Sequence, residues 1–194
     1  WVQGGLEKFG RKDKFPLNLP KDFPLTIAAD GQSLSDMLAA GDLDAVISAR
    51  APSCFIDRHP QVKRLYADYR SAEKEYYART GLFPIMHALG VRRDMAQKHP
   101  WLPASVYKAF SEAKHIADGD LREVTALKIG LPWVTAELES TQAIMGDDFW
   151  PYGIEPNRKT LEAMARYSYE QGLAVRHLDV DEIFAASTLE ALCV

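Results

Sequence analysis

Two cysteines in 194 residues, Cys54 and Cys193, are too few and too far apart for a disulfide framework or a C-x-x-C metal site. Both read as buried free thiols. Basic charge is not in excess either: 23 Lys and Arg face 27 Asp and Glu, a formal net charge of -4, and no five like charges run together. That balance argues against a nucleic-acid-binding surface. No apolar stretch approaches the roughly 18 residues that cross a bilayer, so a water-soluble chain without a membrane partner is expected. The 12 glycines and 11 prolines are too sparse for collagen-like or low-complexity sequence. The chain opens at Trp1 with neither an initiator Met nor a signal-peptide pattern, from which we expect a start inside a longer gene product. What is present, 47% apolar and 26% charged residues, suffices for a buried core.

Local patterns predict strands early and helices late. Leu25 to Ala29 reads as a short strand between Pro24 and the turn pair Asp30-Gly31. A short helix follows, with Ser33 as N-cap, Asp36 at its third position and Gly41 as left-handed C-terminal cap. Ala45-Val46-Ile47 reads as a buried strand closing a βαβ unit, and ligands collect beyond the carboxyl ends of such strands, which points to Arg50 and Ser53. Residues 62 to 79 suit a solvated connector. Phe83 to Val91 alternates as a strand with Ile85, His87, Leu89 and Val91 on one face.

The second half is expected to be helical. A helix from Pro103 should bury Val106, Phe110, Ala113 and Ala117 and end at Gly119. A second should start with Pro132 in its first turn, place Val134, Leu138, Thr141 and Met145 on one face and stop at Gly146. A third runs from near Asn157 to Gln171, burying Leu161 and Ala165 and closing on Gly172-Leu173. Asp179 and Glu182 form a capping-box pair for a short last helix.

Candidate site residues carry alternatives. The five histidines, His59, His87, His99, His115 and His177, show no metal-ligand spacing. His59, His99 and His115 read as solvated. His87 is either a hydrogen-bonded core residue or a proton donor and acceptor, histidine being the type suited to proton exchange near neutral pH. Arg50 is either a bidentate carboxylate grip or a structural ion pair. Cys54 reads as a small buried apolar residue rather than a nucleophile. In the dense loop 145 to 153, Asp147 and Asp148 are either capping acids or carboxylates beside an aromatic wall of Trp150 and Tyr152, a wall suited to a flat ligand.

The blocks Ala-Pro-Ser-Cys-Phe at 51 to 55, Phe-Pro-Ile-Met-His at 83 to 87 and Phe-Trp-Pro-Tyr-Gly at 149 to 153 occur in this order. Together with the segments around them, they make nearly the whole chain resemble the 4,5-dihydroxyphthalate decarboxylase family. The resemblance implies an α/β fold of two lobes like that of type II periplasmic binding proteins, incomplete at the N-terminus and helix-rich in its C-terminal half. Residues 1–81 would form most of the second lobe, and residues 82–194 would return to the first.

The implied reaction converts 4,5-dihydroxyphthalate to 3,4-dihydroxybenzoate and carbon dioxide. Each carboxylate of that substrate is para to a hydroxyl, so loss of a phenolic proton pushes electron density onto the carbon bearing the departing group. The route needs a carboxylate anchor, a base for the phenol and an acid for the ring carbon, and no organic cofactor. Arg50 and Ser53 fit substrate binding, His87 the ring proton, Asp148 the phenol's base, and Trp150 and Tyr152 the ring contacts. A divalent metal bridging the phenolic oxygens is not supported by ligand spacing. The implied partner is a small aromatic carboxylate, the expected compartment the cytoplasm, and self-association is left open. The competing class is a solute-binding or ligand-sensing protein that closes on a small carboxylate without chemistry.

Overall fold

The computed structural model describes residues 1–10 and 19–189. Cys193 lies outside them. The chain divides into two compact units, Trp1–Ala72 and Glu73–Val194.

The first unit opens with a two-stranded parallel sheet. Strand β1, Val2–Gln3, pairs with β2, Thr26–Ile27, in the register Val2 to Thr26 and Gln3 to Ile27. The β2 signal lies within the expected strand at Leu25 to Ala29, and its partner is a segment with no strand pattern of its own. Helix α1, Leu34–Ala40, is capped by Ser33, whose Oγ accepts from the Asp36 N–H at 3.1 Å, and it ends on Gly41 at φ 82°, where a side chain would be strained. Its start is fastened to the chain after β1, since the Leu34 and Ser35 amides donate to the carbonyls of Gly5 and Leu6.

The βαβ unit does not form. Ala45 to Ile47 has no ladder partner, and Ile47 is 89% exposed. Three apolar residues carry no information about which edge they should pair with, and here β1 takes the place beside β2. Helix α2 is a single turn, Ser53–Ile56, and α3, Tyr69–Thr80, crosses the boundary between the units. An Asx contact starts α3: Asp68 accepts from both the amide and the hydroxyl of Ser71.

In the second unit, helices α4 (Arg93–Lys98), α5 (Leu102–Arg122), α6 (Val134–Met145), α7 (Arg158–Glu170) and α8 (Val180–Ile183) follow in turn. The strand expected at Phe83 to Val91 is irregular chain, so His87 does not sit on an apolar strand face; it is exposed. The expectation that strands dominate the first half likewise fails, because the described strands are two residues each. Helix α5 continues through Gly119 to Arg122. Its covered stripe runs through Pro103, Tyr107, Ser111, Lys114, Asp118 and Leu121; of the expected apolar set Val106 is half-buried, whereas Phe110, Ala113 and Ala117 are exposed. Phe110 is 49% exposed.

Helix α6 buries Val134 and Leu138 and stops at Gly146, but Pro132 precedes its N-cap, Trp133, and is not in the first turn. Helix α7 buries Leu161 and Ala165, and the amides of Gly172 and Leu173 close its end on the carbonyls of Tyr169 and Ser168. Asp179 caps α8 through the Asp181 amide; Glu182 does not complete the capping box, because its carboxylate is taken by Arg176 at 2.6 Å. Ile154, Leu161 and Val180 form the apolar cluster of this unit, with Phe184 and Leu189 packed on it.

Candidate functional site

The loop from Asp147 to Gly153 in the second unit is held by the elements around it. Arg122 at the end of α5 donates to the Asp147 carbonyl at 3.2 Å, and Gln142 of α6 donates to the Asp147 carboxylate at 3.2 Å. Asn157, just before α7, donates from one amide nitrogen to the carbonyls of Pro151 and Gly153 at 2.7 and 2.8 Å. Gly153 has φ 96°, where a side chain would be strained, and a Cβ there would also crowd the Tyr107 hydroxyl at 3.1 Å. The loop is therefore held at its carbonyls and at the Asp147 carboxylate, with Asp148, Trp150 and Tyr152 left exposed.

Those side chains form a charged and aromatic group. Asp148 accepts from Lys114 Nζ at 2.6 Å, and Lys114 also reaches Asp118 at 3.4 Å, one helical turn along α5. The Lys114 ammonium lies 5.6 Å from the centre of the Tyr152 ring, within cation–π range. Trp150 meets Phe83 edge to face at 5.3 Å between ring centres. Burial works against the charge on Lys114, but the hydrogen bonds and attraction from Asp148 and Asp118 outweigh it and hold its pKa above the ordinary lysine value of 10.5. Lys114 is thus a fixed cation between two carboxylates, beside an aromatic face.

Lys114 is not among the candidates that the sequence singles out. The signal lies in spacing: Tyr107, Ser111, Lys114 and Asp118 recur at steps of four, three and four, one face of a helix. A polar stripe of this kind needs a polar partner, and the loop supplies Asp148.

The remaining candidates lie elsewhere. His87 is exposed in irregular chain of the second unit. Arg50 is exposed in the first unit; its amide bonds to Ser48 Oγ at 3.3 Å, and its guanidinium has no ion pair among the described residues. Ser53 is engaged inside that unit, where its amide and hydroxyl donate to the two oxygens of Glu7 at 2.8 and 2.7 Å. Its hydroxyl also lies 2.9 Å from that of buried Ser35, which accepts from the Cys54 amide at 3.2 Å. His59, expected to be solvated, is half-buried, with its Nδ1 enclosed and unpartnered. No group of three His, Cys, Asp or Glu placed to hold a metal occurs among the described residues. No described helix is long and apolar enough to cross a membrane.

No protein-family model matches the chain. Against curated proteins it is 42% identical over 191 residues to the 4,5-dihydroxyphthalate decarboxylase of Comamonas testosteroni, a match covering 98% of this chain and 58% of that protein. Along nearly its whole length the chain is thus similar to a 4,5-dihydroxyphthalate decarboxylase. A protein of the same name from Pseudomonas putida is 49% identical over 77 residues, or 40% of this chain and 30% of that protein. The chain therefore spans little more than half the length of the first of these decarboxylases and matches less than a third of the second.

Proposed function

We propose that this chain serves the decarboxylation of a hydroxylated aromatic dicarboxylate, 4,5-dihydroxyphthalate going to 3,4-dihydroxybenzoate and carbon dioxide. The observation that carries this reading is identity to a decarboxylase of that name along 98% of the chain. The group at loop 147–153 supports it, because an aromatic dianion asks for a fixed cation, a proton acceptor and aromatic surface. In this reading Lys114 holds a substrate carboxylate by charge. Asp148 takes the phenolic proton once substrate displaces it from Lys114, and Trp150 and Tyr152 flank the ring. His87 delivers a proton to the ring carbon, and the bond to the departing carboxylate breaks with its electron pair returning to the ring as carbon dioxide leaves. Asp148 gives its proton back to the phenolate, and solvent restores the one proton consumed at His87. Arg50 is the carboxylate contact proposed for the first unit. Ser53 can join it only by releasing Glu7.

The same reading carries the two-lobed architecture of type II periplasmic binding proteins, with its lobe boundary near Gly81, and a reaction without an organic cofactor. The test is to incubate the protein with 4,5-dihydroxyphthalate, with and without a divalent metal, and to measure carbon dioxide and 3,4-dihydroxybenzoate. Both products should appear, and Asp148→Asn should cut turnover by about 100-fold or more, the scale of a lost general base. Substrate bound unaltered under both conditions would replace catalysis with solute capture.

A further inference from the structure

In the first unit, where the chain leaves α2, Phe55, Ile56 and Val62 line an open groove of about 410 Å³ together with Arg58, His59 and Lys63. That volume lies in the range of small-molecule sites and suffices for one ring. Three features bear on what the groove could hold. Its lining carries two permanent cations and no acid, and neither Arg58 nor Lys63 has an ion pair among the described residues. The His59 Nδ1 atom is enclosed without a hydrogen-bond partner, while the His59 amide is fixed to the Cys54 carbonyl at 2.9 Å. Ile56 is 65% exposed, while Phe55 and Val62 are half-buried and the Arg64 guanidinium lies 5.2 Å from the centre of the Phe55 ring.

The backbone adds a fourth. Arg58 has φ 60°, and no other described residue except glycine is left-handed. It follows the C-cap Asp57 of α2, the position where helices ordinarily place glycine because a Cβ is disfavoured there. An arginine held at that position puts a guanidinium on the groove at a conformational cost glycine would avoid.

We propose that this groove binds a small organic anion, a single carboxylate carried on an aromatic or short acyl body. Arg58 and Lys63 hold the carboxylate, and Phe55, Ile56 and Val62 cover the apolar body. A bare inorganic anion would leave that apolar surface wet, and a neutral ring would leave the two cations uncompensated. The site shares no residue with loop 147–153 and does not rest on the decarboxylase reading.

The test is an NMR titration of the whole protein with benzoate, with benzamide and inorganic phosphate as parallel arms. Benzoate should shift the amides of residues 55 to 63 saturably, and the other two should bind at least about tenfold more weakly, the scale of one charged contact. Arg58→Gly should weaken benzoate by about tenfold or more while keeping or raising the melting temperature, since glycine suits the left-handed backbone. Lys63→Gln should weaken it in the same direction. Benzoate shifts unchanged in both variants, or confined to residues outside 55 to 63, would overturn the site. Benzamide matching benzoate would overturn the carboxylate grip, and phosphate matching it would overturn the apolar body.

Discussion

The two units are held together by different chemistry. In the second, buried Ile154, Leu161 and Val180 pack α7 and α8 against each other with hydrocarbon. In the first, the most deeply buried side chains are Ser33 and Ser35, at 2% and 1% exposure; Ser35 joins Ser53 and Glu7 in a chain of hydroxyl and carboxylate contacts, and the Ser33 hydroxyl is paired with Asp36. Apolar packing tolerates small shifts and resists loss of volume. A hydroxyl chain tolerates shape changes poorly and fails when one link leaves its neighbour unpaired.

That contrast can be broken first at its apolar end. Leu161→Ala should destabilise the protein by about 2–5 kcal/mol in urea unfolding, through lost transfer energy and the space left behind. A cost under about 1 kcal/mol would mean that the cluster does not hold the unit. Ser35→Ala comes next, at about 1–3 kcal/mol, because it strands the Cys54 amide and a partner of the Ser53 hydroxyl. Ser35→Cys should recover little of the loss, thiols being weak partners, whereas a merely steric role would let it recover most.

Most signals read within one turn of chain match the structure, the exceptions being Gly119, Pro132 and Glu182. Ser33, Gly41, Gly146, Gly172 and Asp179 stand where capping chemistry puts them, and the buried residues of α6 and α7 follow from helical spacing. Signals that need a distant partner do not. Ala45 to Ile47 and Phe83 to Val91 have strand composition but no ladder, while Trp1 to Gln3 has a ladder without the composition. The α5 stripe shows why: the loop 34 positions beyond Lys114 turns its polar face inward, and no periodicity within the helix encodes that. The loop residues themselves were legible from their density of acids and aromatics; the cation they gather around was not.

Three smaller effects sharpen the comparison. Ser33→Ala should cost about 1 kcal/mol by uncapping α1, read as a shift in urea midpoint at unchanged slope. Lys114→Met should cost within about 1 kcal/mol, since its partner Asp148 is 58% exposed. Its signature is in pH. The raised Lys114 pKa means that its share of stability is complete below the ordinary value of 10.5 and is lost as pH rises through the higher folded value. The alkaline limb of the stability curve should therefore flatten in Lys114→Met, and an unchanged limb would deny the cation its two carboxylates. Smallest is Ile47→Ser, expected within about 0.5 kcal/mol for so exposed a side chain. A loss of about 2 kcal/mol there would show that the segment is covered after all.

The hydroxyl interior of the first unit has a calorimetric consequence. Unfolding raises heat capacity when hydrocarbon meets water and lowers it when polar groups do. A unit whose most enclosed described side chains are serines has little hydrocarbon to expose, so it should add less heat capacity per residue than the α7 and α8 region. Its free energy of unfolding should then vary gently with temperature, giving it a broad, shallow dependence that neither cooling nor moderate heating bends sharply.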